Sequence, residues 1–123
     1  MSGETLLALA SEVEAASAPD RRLDYAIMTA TVLTGHAYLW DPNDQSHRYT
    51  ASLDAAMTLV PEQYSFGVEA YSPDHNTLGW TVHLLFDANL KKPDISAFAP
   101  TFPLALCAAA LRARAHHETS NDG

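Results

Sequence analysis

Two segments in which apolar and polar residues alternate constrain the fold most. The first covers 64–71, the second covers 78–86, and a polar run at 72–77 separates them. Alternation with a period of two is typical of β-strands, and a short polar connection favours antiparallel pairing, so we predict a hairpin. Its apolar side carries Tyr64, Phe66, Val68 and Ala70 from the first strand and Leu78, Trp80, Val82, Leu84 and Phe86 from the second.

Helical spacing of apolar residues predicts the elements that cover this side. One helix is expected over 3–16, and a second begins after Ser17 as N-cap, has Pro19 in its first turn and ends at Gly35. A last helix begins near Thr101, and its inner side carries Leu104, Cys107, Ala108, Leu111 and Ala115. We expect 36–48 and 87–100 to be mostly irregular, apart from a short strand at 38–40.

A short helix is expected within the segment 49–61. Ser52 can cap its start, Asp54 lies in the first turn where the helix dipole favours a carboxylate, and Pro61 ends it. The predicted inner side carries Leu53, Ala56, Met57 and Val60. Because a helix this short is not stable in isolation, packing against the rest of the protein must hold it.

The segment 49–61 resembles the central motif of the phage ABA sandwich domain, a family of small phage and prophage proteins. The segment 103–115 looks like the closing helix of that family, and the opening residues 6–24 are also similar. Residues 63–98 show no clear similarity, so a surface specific to this member is expected there. The resemblance implies a sheet with helices on both sides, an α/β/α sandwich, and it implies no particular activity.

These patterns together predict one α+β domain at 1–117, in which helices flank an antiparallel β-sheet, followed by a flexible polar tail at 118–123. The single cysteine, Cys107, cannot form an internal disulfide and is expected to be a buried, unreactive thiol in a reducing compartment. The absence of a secretory signal and of an apolar run of ~20 residues favours the cytoplasm of a bacterial host.

The net charge of −8 restricts the partners. The seven basic residues are scattered along the chain, whereas binding to phosphate backbones or anionic membranes needs clustered cations. We therefore expect neither nucleic acid nor a membrane as partner, and an acidic surface suits a basic protein partner. No cofactor is expected, and the histidines lack the spacing of a metal site, since adjacent His116 and His117 point about 100° apart on a helix.

Glu69 and His83 are the residues most suited to catalysis, because both lie on the polar side of the predicted hairpin. If Val68 pairs with Val82, they are diagonal neighbours roughly 7 Å apart, and a carboxylate beside an imidazole is the beginning of general-base chemistry. A nucleophile is not specified, and an exposed polar pair on a sheet face is the more common explanation of two such residues. Tyr71 and Trp40 are the aromatic candidates for a binding surface.

The sequence therefore favours a non-enzymatic protein-interaction domain, an accessory protein of a phage or prophage. One alternative is a small hydrolase or ligand-binding protein that uses Glu69 and His83. Another is a minor structural component of the virion, which should assemble with symmetry.

Overall fold

A computed structural model describes residues 3–31, 47–61, 64–71, 78–86 and 95–122; at 65, 66, 69–71, 85, 86 and 116–122 we consider the backbone alone. The elements in chain order are α1 (Gly3–Ala15), α2 (Arg21–Ala30), α3 (Leu53–Met57), β1 (Tyr64–Tyr71), β2 (Leu78–Phe86), β3 (Ile95–Ala99) and α4 (Phe102–Asp122). The strands form one antiparallel sheet in the order β1-β2-β3, and helices pack against it. The predicted α+β class is confirmed.

The hairpin has the predicted bounds and register, with Val68 opposite Val82. Val82 and Leu84 are fully buried on the side that α4 covers, and the ring of Trp80 stacks on Phe102 of α4 with centroids 5.2 Å apart. Leu78 was expected on this covered side, but it is 76% exposed. The register shifts between Glu69 and Tyr71, so the end of the hairpin no longer follows the regular pairing.

The third strand corrects the expectation that 87–100 is irregular. Ile95, Ala97 and Ala99 pair with Leu84, Val82 and Trp80 of β2, and so extend the apolar side of the sheet. A run of five residues with two alanines and a serine has little β-propensity of its own. The strand forms because β2 offers hydrogen-bonding partners and α4 buries Ala97 and Ala99.

Helix α2 begins later than predicted. Its N-cap is Asp20, whose side chain accepts a hydrogen bond from the N–H of Arg22, and not Ser17. The N–H of Asp20 donates to Thr50 Oγ1 at 2.9 Å, and this tertiary bond fixes Asp20 in the extended conformation that a cap requires. The helix ends at Ala30, well before Gly35, which lies outside the described residues together with the predicted strand at 38–40.

Helix α3 has the predicted cap but a different inner side. Ser52 Oγ accepts from the N–H of Ala55, while Ala55 and Ala56 are the buried residues of the helix. Leu53 and Met57 were predicted to face inward, and each is 38% exposed. Small side chains face α4 because α3 lies against it.

Helix α4 is the middle layer of the described fold. It packs against β2 and β3, and α1 and α3 pack against it in turn. Its predicted inner residues are all buried, and the remaining residues between Leu104 and Leu111 are buried as well. The helix continues to Asp122, across the segment expected to form a flexible tail, so the flexibility of that segment stays a prediction.

Gly79 allows β2 to pass close to β3, and its replacement should be costly. Its φ of +152° is rarely adopted by other residues, and a Cβ there would lie 2.6 Å from the Phe98 ring and 2.8 Å from the Ala99 carbonyl oxygen. We expect Gly79→Ala to lower the free energy of unfolding by about 1–3 kcal/mol in urea denaturation. Gly67→Ala is the control, because a Cβ there meets nothing within 4 Å, and equal losses in both variants would contradict this account.

Candidate functional site

The predicted catalytic pair, Glu69 and His83, lies on neighbouring strands on the polar side of the hairpin. Glu69 lies opposite Thr81 and Gly67 lies opposite His83, so Glu69 and His83 occupy the diagonal positions that were predicted. His83 is half-buried and Thr81 is buried on this side. The side chains of Glu69 and Tyr71, and all of Trp40, lie outside the described residues. The structure therefore supports the placement of this pair in the sheet, and its chemistry remains a hypothesis.

A buried polar cluster joins α2 to the segment before α3. The carboxylate of Asp24 is 1% exposed and accepts hydrogen bonds at 2.8 Å from both the N–H and the hydroxyl of Thr50, and at 2.7 Å from Arg21 Nη1. Thr50 Oγ1 also accepts the N–H of Asp20. Every group in this cluster has a partner, so it orients α2 and leaves no atom positioned for chemistry.

Cys107 lies under this cluster as the buried thiol that the sequence predicts. Its Sγ donates to the carbonyl oxygen of Tyr49 at 3.0 Å. Burial, and then the negative charge of Asp24, raise the pKa of the thiol far above its ordinary value. A thiol that stays protonated and inaccessible is a poor nucleophile, which supports a structural role.

An ion pair between α1 and α4 lies at the outer edge of β3. Phe98 N–H donates to Glu14 Oε2 at 2.9 Å, the Ser96 carbonyl accepts from Arg112 Nη1 at 3.1 Å, and Arg112 Nη2 pairs with Glu14 Oε1. In a strand, residues two apart direct their backbone groups to the same edge. Glu14 and Arg112 therefore bind backbone groups that a fourth strand would otherwise pair with, and so protect an exposed edge.

This arrangement stabilises the charged form of Glu14. Partial burial acts to raise the pKa of its carboxyl, but the hydrogen bond from Arg112, the N–H of Phe98 and the charge of Arg112 outweigh burial. The net result is a pKa below the ordinary value of glutamate. Folding therefore favours the deprotonated carboxylate.

An open groove runs between α1 and α2, with a volume of about 490 Å³. It forms because both helices are joined by a short connection while α1 packs mainly on α4 and only lightly on α2. The walls are small or apolar apart from two threonines and one acid: Thr5, Ala8, Leu9 and Glu12 of α1, with Ala26, Thr29 and Ala30 of α2. Sequence reasoning missed this groove, because alanine on facing helices usually indicates close packing.

Comparisons with family models, with curated proteins and with solved structures found no match. None of the helices in the described ranges is both long and apolar enough to cross a membrane. In the same ranges, no three side chains of His, Cys, Asp or Glu are grouped so that they could hold a metal ion. The groove between α1 and α2 is a concave, accessible site whose lining residues all lie in the described part of the chain.

The hydroxyl of Thr50 should contribute more to the stability of the fold than its methyl group does. Thr50→Val keeps the shape but leaves the Asp20 N–H without its acceptor and removes one donor from the buried Asp24 carboxylate. We expect the free energy of unfolding to fall by about 2–3 kcal/mol, measured by chemical denaturation. Thr50→Ser keeps the hydroxyl and should lose about 1 kcal/mol; a larger loss in Ser than in Val would contradict this role of the hydroxyl.

Glu14→Gln should lower stability in a pH-dependent way. At neutral pH we expect a loss of about 1–2 kcal/mol, because glutamine lacks the charge that pairs with Arg112. The lowered pKa of Glu14 means that the wild type loses this stabilisation as the pH falls from the ordinary glutamate pKa through the lowered one. The free energies of unfolding of Glu14→Gln and of the wild type, measured from neutral to acidic pH, should therefore converge. The control Glu12→Gln should have a free energy of unfolding close to that of the wild type. A difference between Glu14→Gln and the wild type that does not change with pH would show that the ion pair does not cause it.

Proposed function

We propose that this protein is an accessory protein of a phage or prophage that acts in the bacterial cytoplasm by binding another protein. The observation that carries the proposal is the open groove between α1 and α2. The resemblance of 49–61 and 103–115 to the phage ABA sandwich domain supports the phage origin. The proposal assigns no catalytic residue.

The shape of the groove favours a helical segment as the bound partner. Two helices joined by a short connection leave a valley along which a third helix can lie, in the manner of helix-in-groove recognition. Ala8, Ala26 and Ala30 let another backbone approach closely, and Leu9 provides apolar contact at the base. Burying these surfaces would give a helix-to-helix interface continuous with the hydrophobic core.

The polar side of the hairpin is the second candidate. The observed register favours it, because Glu69 and His83 are diagonal neighbours on the same side of the sheet. A hydrolase that used this pair would lose activity in His83→Ala and would be unaffected by changes in the groove. If capture of a partner depends on the residues of the groove, the binding function is favoured over the hydrolase.

Affinity capture from prophage-bearing bacteria tests the leading proposal. Ala8→Trp places a large ring in the groove, and Leu7→Trp adds an indole at an exposed position on another side of α1. We expect Ala8→Trp to reduce recovery of a specific partner by about tenfold and Leu7→Trp to change it by less than about twofold. Equal recovery by all three proteins, or no partner before and after prophage induction, would contradict the proposal.

A further inference from the structure

We infer that the segment bound in the groove is a cationic amphipathic helix whose lysine or arginine pairs with Glu12; this inference rests on the proposed function. Glu12 lines the groove and its side chain is exposed. Glu12 is the acidic residue in the lining of the groove, which contains no basic residue. The groove thus combines apolar walls with negative charge, which is complementary to a helix that carries aliphatic side chains beside a cation.

The charges of the neighbouring residues make Glu12 the available partner for such a cation. Arg21 is paired with Asp24 at 2.7 Å, and Arg22 lies 3.4 Å from Asp20, so the basic residues at the start of α2 are satisfied locally. Glu14, two residues after Glu12, is paired with Arg112. Within the described part of the chain, no ion pair involves Glu12.

The position of Glu12 determines which helix would fit. Leu9 and Glu12 are three residues apart, so they lie next to each other along the same side of α1. A partner helix that inserts an aliphatic side chain against Leu9 would therefore place a residue one turn away beside the carboxylate of Glu12. The required pattern is an apolar stripe with lysine or arginine at its border.

Labelled model peptides test this chemistry without knowledge of the natural partner. One peptide is an amphipathic helix of about four turns, with leucine at helical spacing and lysine at the borders of the leucine stripe. Its counterpart has glutamate in place of lysine. Fluorescence anisotropy should show the lysine peptide binding to the wild-type protein, with the glutamate peptide at least about tenfold weaker.

Four variants separate the groove from general attraction to an acidic protein. Glu12→Lys should weaken binding of the lysine peptide about tenfold, whereas Asp54→Lys, the same charge change at an exposed position of α3, should weaken it less than about twofold. Ala8→Trp should abolish binding and Leu7→Trp should preserve it. Circular dichroism of each variant must match the wild type for its affinity to be compared.

The outcomes distinguish this inference from the proposed function. If Ala8→Trp abolishes binding while Glu12→Lys has no effect and both peptides bind alike, the groove is a docking site, but the inference that it prefers a cationic helix is wrong. If Glu12→Lys and Asp54→Lys weaken binding equally, net charge alone explains it and the inference is overturned. If Ala8→Trp changes the binding of neither peptide, the groove is not the binding site and the proposed function loses its support.

Discussion

Burial of the first half of α4 on every side is the constraint on which the rest of the fold depends. All residues from Leu104 to Leu111 are inaccessible to solvent. A helix can be buried in this way only if other elements surround it, and here the sheet, α1 and α3 do so. Alanine at four of these eight positions and cysteine at a fifth keep the helix narrow enough for those neighbours to approach. The hydrophobic core is thus organised around one helix, and the outer elements are positioned by their contacts with it.

Polar contacts determine how the outer elements are oriented around that helix. Asp24 and Thr50 join α2 to the segment before α3, and Arg114 Nε of α4 donates to the carbonyl of Leu59 at 2.8 Å, just after α3. Such contacts contribute little net stability once the cost of desolvation is counted, but a wrong arrangement would leave buried polar groups without partners. They select one arrangement of short helices whose apolar surfaces alone would permit several.

The sequence predicts the elements whose apolar residues recur at regular spacing, and it misses the features that depend on contacts between distant residues. The hairpin and its register follow from a period of two, and α1 and α4 follow from helical spacing. The start of α2 does not, because the bond from Asp20 to the distant Thr50 helps to make Asp20 the cap in place of the predicted Ser17. β3 is too short and alanine-rich to be recognised without β2 beside it. The groove depends on the separation of α1 and α2, which results from the packing of α1 on α4 and is encoded by no local pattern in either helix.

Because α4 follows every other described element, synthesis of the chain delivers its middle layer last. Helix α1 finds its main partner, and Glu14 its arginine, 98 positions further along. Contacts between residues so distant in sequence slow folding, since a long loop must close before they form. On the ribosome, α1 and the hairpin therefore emerge before α4 can cover their apolar sides, and apolar surface exposed in this way is prone to aggregation until α4 has left the exit tunnel.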